Sequence, residues 1–466
     1  MKFRHLFSPS IKKKKEAKQK LNERYSLLDD HVLKLLFVFV GPAVLGLLVN
    51  ALYNLVDRVF VGRYVGVDGL SAVTMVFPIT LLQFGFVLLL GSGAGILIAK
   101  HLGEGEPERA ETVLGNVIAG LLLTLLVFTT GGLMFHQEIL GLLGAEGKLL
   151  QLSSEYFWVI VCGFPLAFFI ALEFTCRAEG NPHLPAKLIL LSSLINASLD
   201  YVFMKLLGMG IRGAALATII AQATNALFLI YYYLSGRSTV KLVWRKIKLQ
   251  KHIILPILMV GFAPFLMDTA VSVQNIFVNH LLLQSGGNNG VAAMGIIYGI
   301  NVFFMMIALG TGDGMQPIIS FNYGAKRYER SMKTIEYALK TVSIVALAGI
   351  VLIELFPLQL TQVFVNGDAK VISITKVALQ IFALSIPFYS VQIVMTRYFQ
   401  ALQENKVAAL MAITRPILLF VPIAYAFNYW WGLNGIWLAF PVSDGLSALV
   451  ALHFGKRYSL KRFISL

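Results

Sequence analysis

The sequence has few charged residues for its length and a large excess of hydrophobic ones. Of its 466 residues, 14% are charged and 57% are hydrophobic, and the mean hydropathy is +0.74. Soluble chains carry about 25% charged residues, so this scarcity excludes a surface that faces water throughout. The composition therefore predicts an integral membrane protein whose outer surface contacts lipid.

Cysteine and recognisable catalytic motifs are scarce as well. The two cysteines, Cys162 and Cys176, lie in one apolar stretch, which excludes a disulfide framework and is typical of small core side chains. The sequence has no glycine-rich phosphate loop with a lysine, no GxSxG motif and no cluster of His and Cys. We therefore predict that the protein is not an enzyme, has no catalytic residues and needs no cofactor.

The net charge of +15 comes from basic residues placed beside the apolar stretches. Residues 1–30 contain a run of lysines and no apolar core before Leu33, which predicts a basic cytoplasmic arm and not a signal peptide. Residues 237–251 and 456–466 are basic too. Lys and Arg on alternate loops and at both termini indicate an even number of spans with both termini in the cytoplasm. This bias explains the charge without nucleic-acid binding.

The apolar stretches predict about twelve membrane-spanning helices. An internal repeat divides them into two halves. Glycines and prolines recur at a nearly constant offset of 219 to 222 residues: Gly93, Gly105, Pro165 and Gly213 match Gly312, Gly324, Pro387 and Gly435. We predict an all-α protein with two six-helix bundles at residues 31–236 and 252–455, joined by a cytoplasmic linker at 237–251. Because an even helix count orients both bundles alike, we expect a pseudo-twofold axis along the membrane normal and a central cleft, as in transporters.

Three predicted helices of the first half carry polar residues spaced three or four apart, which places each set on one helix face. The sets are Tyr53, Asn54 and Asp57 on the first helix, Asn196 and Asp200 on the fifth, and Thr218, Gln222 and Asn225 on the sixth. An acid inside the membrane costs about 2.5–3.5 kcal/mol and therefore indicates a function. Carboxylate, amide and hydroxyl oxygens suit Na⁺ or exchangeable protons. The alternative is that these groups only hydrogen-bond the helices together.

The sequence leaves the position of two further acids open. Glu173 lies late in the fourth predicted helix, either in the polar pocket or in a salt bridge with Arg177 four residues later. Asp268 begins a polar stripe that includes Asn275 on the seventh helix, and Met294 belongs to a group of methionines and aromatic residues that could accept bulky organic cations. The candidate substrate-binding residues are Tyr53, Asn54, Gln222, Asp268, Asn275 and Met294.

Four segments resemble the MATE (multidrug and toxic compound extrusion) family, and the resemblance covers about residues 30–455. They are NALYNLVDRVFVGRYVG at 50–66, INASLDYVFM at 195–204, GMGIRGAALAT at 208–218 and GMQPIISFNYGAKR at 314–327. The resemblance implies a cation site made by Asp57, Asn196, Asp200 and Thr218, which binds Na⁺ if the protein is sodium-coupled. Glu173 matches a Glu of MepA-like members, and the resemblance adds it to the predicted cation-coupling residues. The tenth-helix acid of the NorM-type branch is absent from IPFYSVQIVMTRYF, which favours a MepA-like member.

The resemblance also implies a function: a monomeric antiporter of the cell membrane that contacts lipid, exports bulky and often cationic drugs, and contributes to antibiotic resistance. The sequence does not decide between H⁺ and Na⁺ as the coupling ion. A flippase for lipid-linked oligosaccharides in the same superfamily is the alternative, but the deep charges are mostly acidic, with Arg397 and Arg415 as exceptions. A membrane-embedded prenyltransferase would need paired Asp-rich motifs, and only Asp29 and Asp30 are adjacent. A scaffold without transport would leave the inward acids unexplained.

Overall fold

The computed structural model describes residues 27–143, 145–362 and 369–464, and their regular structure is entirely helical. Most of the predicted basic arm lies outside these residues. The helices are α1 (Val32–Tyr64), α2 (Val67–Gly103), α3 (Pro107–Met134), α4 (His136–Leu142), α5 (Gly147–Ala178), α6 (His183–Leu206), α7 (Gly210–Leu234), α8 (Lys251–Gly287), α9 (Asn289–Gly324), α10 (Tyr328–Leu355), α11 (Pro357–Gln362), α12 (Ala369–Ala383), α13 (Ile386–Ala401), α14 (Asn405–Ile413) and α15 (Phe420–Ile464).

Apolar helices dominate because a chain in lipid must satisfy its backbone hydrogen bonds internally. Within the described ranges, 10 helices are long and apolar enough to cross a membrane. The pair α12 and α13, which is bent by 48°, forms a further candidate span. The structure thus agrees with the predicted all-helical membrane protein.

One of these candidate spans, residues 405–457, contains two helices. It holds 53 residues, which would make a helix about 80 Å long at about 1.5 Å per residue, against a hydrocarbon core of about 30 Å. The backbone breaks at Gly432, where φ is 56° and ψ is −136°, a conformation that favours glycine. Arg415 Nε lies 2.8 Å from Asp444 Oδ1. The chain therefore folds back on itself at Gly432.

The first compact unit extends to Gly261 and also includes Ser320–Tyr328. In it, α1 packs against α6, α6 against α7, and α7 against α5. This order of packing brings the polar residues that the sequence places on α1, α6 and α7 into neighbouring helices.

Glycines allow α2 to approach the start of α8 in the first unit at backbone contact distance. A Cβ atom added at Gly93 would lie 2.1 Å from the carbonyl oxygen of Ile257, and one at Gly261 would lie 1.8 Å from that of Leu89. Small residues are common where membrane helices cross closely. Gly93, one of the glycines of the internal repeat, therefore lies where α2 crosses α8.

The predicted cytoplasmic linker, residues 237–251, is bonded to the first unit. The backbone N–H of Val240 donates to Glu179 Oε2 at 2.9 Å. The ammonium group of Lys246 lies 2.7 Å from Glu111 Oε2. The linker is thus held by side chains of the first half, while the predicted domain boundaries themselves stay a prediction.

The second compact unit contains Phe262–Ile319 and the chain from Glu329 onwards. Its hydrophobic core joins residues of α8, α9, α10, α12, α13 and α15. Aromatic rings fill its centre: the ring centroids of Phe420 and Phe440 are 4.5 Å apart, and those of Phe382 and Phe440 are 4.9 Å apart. Phe420 precedes the break at Gly432 and Phe440 follows it, so the two helices on either side of the break pack against each other.

Candidate functional site

The polar faces of α1, α6 and α7 meet inside the first unit. Asp57, Asn196 and Asp200 are 9%, 1% and 0% exposed, and Thr218 is half-buried. The amide of Asn196 donates to Thr218 Oγ1 at 3.5 Å, and Asp57 lies close enough to Asp200 for their charges to interact. The structure therefore brings together the four residues that the sequence singled out on separate helices. Their role as cation ligands stays a prediction.

Four buried oxygens of this site have no hydrogen-bond partner among the described residues. They are Asp57 Oδ1, Asn196 Oδ1, and Oδ1 and Oδ2 of Asp200. Most buried polar groups are hydrogen-bonded, and leaving one unpaired costs about 1–3 kcal/mol. A proton or a small cation would satisfy these oxygens. The ligand chemistry fits Na⁺, because every unpaired atom is a hard oxygen.

The helix that carries Asp200 changes its geometry directly after this residue. Residues Tyr201–Leu206 form a π-helix, whose wider turn carries an extra residue. Such segments are frequent at functional sites because they displace side chains from regular α-helical positions. The spacing of Asn196 and Asp200 predicts a shared helix face but does not predict this change.

Tyr156 on α5 is a residue of this site that the sequence analysis missed. It is 6% exposed and lies within electrostatic range of Asp57, Tyr53 and Asp200. Tyr53, a predicted substrate-binding residue, is also in range of both acids. A phenol can donate a hydrogen bond to a carboxylate, so the two tyrosines supply potential donors beside the acid pair. No local pattern on α5 identifies Tyr156 from the sequence, because its position beside the acids depends on how α5 packs.

Glu173 lies in a separate cluster in which both carboxylate oxygens are hydrogen-bonded. Arg177 Nη2 donates to Oε2 at 3.1 Å, and Asn225 Nδ2 donates to Oε1 at 2.7 Å. Asn225 follows Thr218 by two turns of α7, about 10 Å along the axis. The structure therefore shows the salt bridge with Arg177 that the sequence allowed. The predicted role of Glu173 in ion coupling stays a prediction.

This cluster predicts that Arg177→Met lowers the stability of the protein. The substitution leaves the carboxylate of Glu173, which is 6% exposed in the pair, without its cation. Breaking a buried ion pair in this way costs about 3–5 kcal/mol. Thermal unfolding of the purified protein in detergent should show a clearly lower Tm. The double variant Glu173→Gln with Arg177→Met removes both charges and should recover part of the loss. An unchanged Tm for the single variant would show that the pair does not stabilise the fold.

The remaining predicted substrate-binding residues lie in different surroundings. Gln222 on α7 is half-buried, and the side chain of Asn54 lies outside the described part of the structure. In the second unit, Asn275 accepts a hydrogen bond of 2.6 Å from the hydroxyl of Tyr298, and Met294 is 1% exposed in the hydrophobic core. Their binding of substrate stays a prediction.

Two buried ion pairs lie among the described residues of the second unit. Arg397 Nε lies 3.3 Å from Asp313 Oδ1, and Arg415 Nε lies 2.8 Å from Asp444 Oδ1. Asp268, which is half-buried, lies within electrostatic range of Arg397 and Asp313. Arg397 and Arg415, which the sequence predicts to lie deep in the membrane, are therefore each beside an acid.

Known proteins are similar to this chain in sequence and in fold. The MatE family model matches residues 42–202 and 257–426. The multidrug export protein MepA of Staphylococcus saprophyticus is 26% identical over 428 residues, which cover 90% of this chain and 93% of that protein. MepA of Staphylococcus aureus strain MRSA252 is 25% identical over 423 residues, with the same coverage.

Solved structures of transporters resemble most of this chain in fold. An outward-facing multidrug resistance MATE family transporter of the MOP superfamily has a TM-score of 0.88 at 25% identity, and covers 96% of this chain and 99% of that one. A MOP superfamily transporter from Pyrococcus furiosus Vc1, in which a binding pocket of reverse polarity suggests a different function, has a TM-score of 0.87 at 26% identity. That match covers 93% of this chain and 97% of the other.

Proposed function

The chain belongs to the MatE family, and from this premise we propose that it is a multidrug efflux antiporter for bulky, often cationic organic compounds. The predicted family, with its MepA-like branch, is confirmed by the family match and by the MepA relatives. Those relatives are export proteins, which indicates a transporter and not an enzyme. The site itself supports ion coupling through one observation: the cluster of buried, unpaired oxygens on Asp57, Asn196 and Asp200.

The proposed mechanism depends on the charge of the two carboxylates. When Asp57 and Asp200 are ionised, they attract a cationic compound. When they take up H⁺ or Na⁺, with Asn196 and Thr218 as further ligands for Na⁺, the attraction is lost and the compound leaves. A ligand shifts a conformational equilibrium only by its different affinity for the two states. The change in carboxylate charge provides that difference, and alternating access converts it into export.

We also propose that the chain spans the membrane twelve times, as two six-helix repeats. Both termini lie in the cytoplasm. The protein is a monomer in the cell membrane. The break at Gly432 supports a division of residues 405–457 into two spans. The pair α12 and α13 supports one bent span. The positions of Lys and Arg in the sequence support the orientation.

The rival function, flipping of lipid-linked oligosaccharides, is less well supported. A site for pyrophosphate needs several unpaired cationic groups to balance its charge. Within the described residues, the deep arginines Arg397 and Arg415 each lie beside an acid. At the candidate site of the first unit, the unpaired buried atoms among the described residues are oxygens of Asp57, Asn196 and Asp200. We therefore retain drug efflux as the proposed function.

Transport in proteoliposomes tests the proposal and identifies the coupling ion. We expect that a Na⁺ gradient or a pH gradient, imposed separately, drives ethidium movement against its own gradient. The gradient that drives movement identifies the ion. The control is the same vesicle preparation after an ionophore has removed the gradient. If neither gradient moves ethidium beyond the rate of this control, the protein is not a cation-coupled exporter of such compounds.

A further inference from the structure

The linker between α7 and α8, residues 237–251, has a strongly basic surface. The sequence contains no acidic residue between Asp200 and Asp268, whereas the linker alone contains six basic ones. Lys246 is paired with Glu111. The other five are exposed, and none of them lies within ion-pair distance of an acid in the part of the chain that the structure describes: Arg237, Lys241, Arg245, Lys248 and Lys251. The linker therefore presents five positive charges that no acid of the described chain balances.

Backbone contacts fix the linker against α3. The carbonyl oxygen of Lys246 lies so close to α3 that a Cβ atom added at Gly115 would clash with it. The ammonium group of Lys246 donates to the carbonyl oxygen of Glu108 at 2.8 Å. The backbone N–H of Gln250 donates to Asn116 Oδ1 at 2.7 Å, and Asn116 is fully buried. Because the backbone is held in this way, little backbone entropy is lost when the exposed cations bind a ligand.

Apolar side chains stand among these cations. Trp244 is 72% exposed and Leu249 is 48% exposed. The linker joins the end of α7 to the start of α8, and both helices are long and apolar enough to cross a membrane. Lipid headgroups therefore lie beside the linker. Tryptophan is enriched at the boundary between membrane and water, and cations mixed with exposed apolar side chains are typical of segments that bind this boundary.

We propose that the linker binds anionic phospholipids of the cytoplasmic leaflet, with its five exposed cations at the headgroup phosphates and with Trp244 and Leu249 in contact with the lipid. This interaction goes beyond drug efflux and rests only on the proposed orientation of the chain. Basic clusters directly beside a membrane span attract anionic lipid. The positive-inside bias explains why cations occur on this side, but it requires neither a fixed backbone nor an exposed tryptophan.

Quenching of Trp244 fluorescence by brominated lipid tests the proposal on the full-length protein. The vesicles contain equal amounts of phosphatidylcholine and phosphatidylglycerol, and the bromine is carried by one lipid or by the other. The signal of Trp244 is the difference between the original protein and Trp244→Phe, which keeps the other tryptophans. Brominated phosphatidylglycerol should quench this signal about twofold more strongly than brominated phosphatidylcholine, because the cations enrich anionic lipid around Trp244.

Two triple variants separate the linker cations from the overall charge of the protein. The first, Lys241→Gln with Arg245→Gln and Lys248→Gln, should quench equally with both lipids. The second removes three cations from exposed ion pairs elsewhere and should keep the preference for phosphatidylglycerol. Its substitutions are Lys148→Gln, Arg212→Gln and Lys340→Gln, at side chains that are 74%, 61% and 61% exposed. Both variants lose the same charge, and both should keep the original Tm in detergent because they change exposed side chains.

Added salts distinguish a lipid headgroup from a free anion. Sodium chloride should weaken the preference for phosphatidylglycerol by screening, and inorganic phosphate at the same ionic strength should weaken it no further. A stronger effect of phosphate would show that the linker is a site for free phosphate and would overturn the proposal.

Three other results would contradict it as well. They are an absence of Trp244 quenching by either lipid, equal quenching by both lipids in the original protein, and an unchanged preference in the linker variant. Failure of ethidium transport in proteoliposomes contradicts the efflux function alone, because quenching does not require transport.

Discussion

Asp200→Asn is expected to reduce ethidium efflux to the level of cells that lack the protein, while the variant still inserts into the membrane. Asparagine has nearly the same shape, but it can neither ionise nor take up a proton. Asp200 is fully buried, and both of its carboxylate oxygens lack a partner among the described residues. Loss of its charge therefore removes the difference in affinity on which exchange depends. Ethidium efflux from cells, normalised to the amount of protein in the membrane, measures the effect.

Asp68→Asn is the matched control for this substitution. Asp68 lies at the start of α2 and is 57% exposed in a pair with Lys148, so the same chemical change there should leave efflux intact. Exposed pairs contribute about 0–1 kcal/mol to stability. Normal efflux by Asp200→Asn, with normal expression, would exclude Asp200 from ion coupling.

The sequence predicted the faces of the helices well because a helical period determines which residues share a face. Asn196 and Asp200 are four residues apart, and the structure places both at one buried site. It also predicted that apolar stretches are helices, since lipid requires internal backbone hydrogen bonds. The MATE resemblance, carried by short segments, gave the family and the likeness to known transporters that the comparisons confirm.

Contacts between distant parts of the chain could not be predicted in the same way. The spacing of Glu173 and Arg177 suggested a salt bridge, but no local pattern identifies Asn225, which is 52 residues away, as the second partner of Glu173. Tyr156 was missed because its position near the acids depends on how α5 packs, and not on its own periodicity. Long-range packing, which a single sequence does not display, decides such contacts.

The helix crossing between α2 and α8 gives the largest expected effect on stability. Gly261→Ala is expected to lower the Tm strongly, because the added Cβ would lie 1.8 Å from the carbonyl oxygen of Leu89. This neighbour is backbone, so the two helices must separate and lose contacts along the crossing. Overpacking costs about 1–3 kcal/mol even where side chains can adjust. Thermal unfolding of the purified variant in detergent measures the change.

Gly131→Ala is the matched control, because it makes the same substitution where the added Cβ has no close neighbour. Gly131 lies on α3, and a Cβ atom there would meet nothing within 4 Å. Alanine is favoured over glycine in a helix by about 0.5–1 kcal/mol, so this variant should be as stable as the original protein or slightly more stable. Gly261→Ala gains the same helix propensity. Any net decrease in the Tm of that variant therefore measures the cost of the contact with Leu89. Equal Tm values for the two variants would show that α2 and α8 do not depend on this close approach.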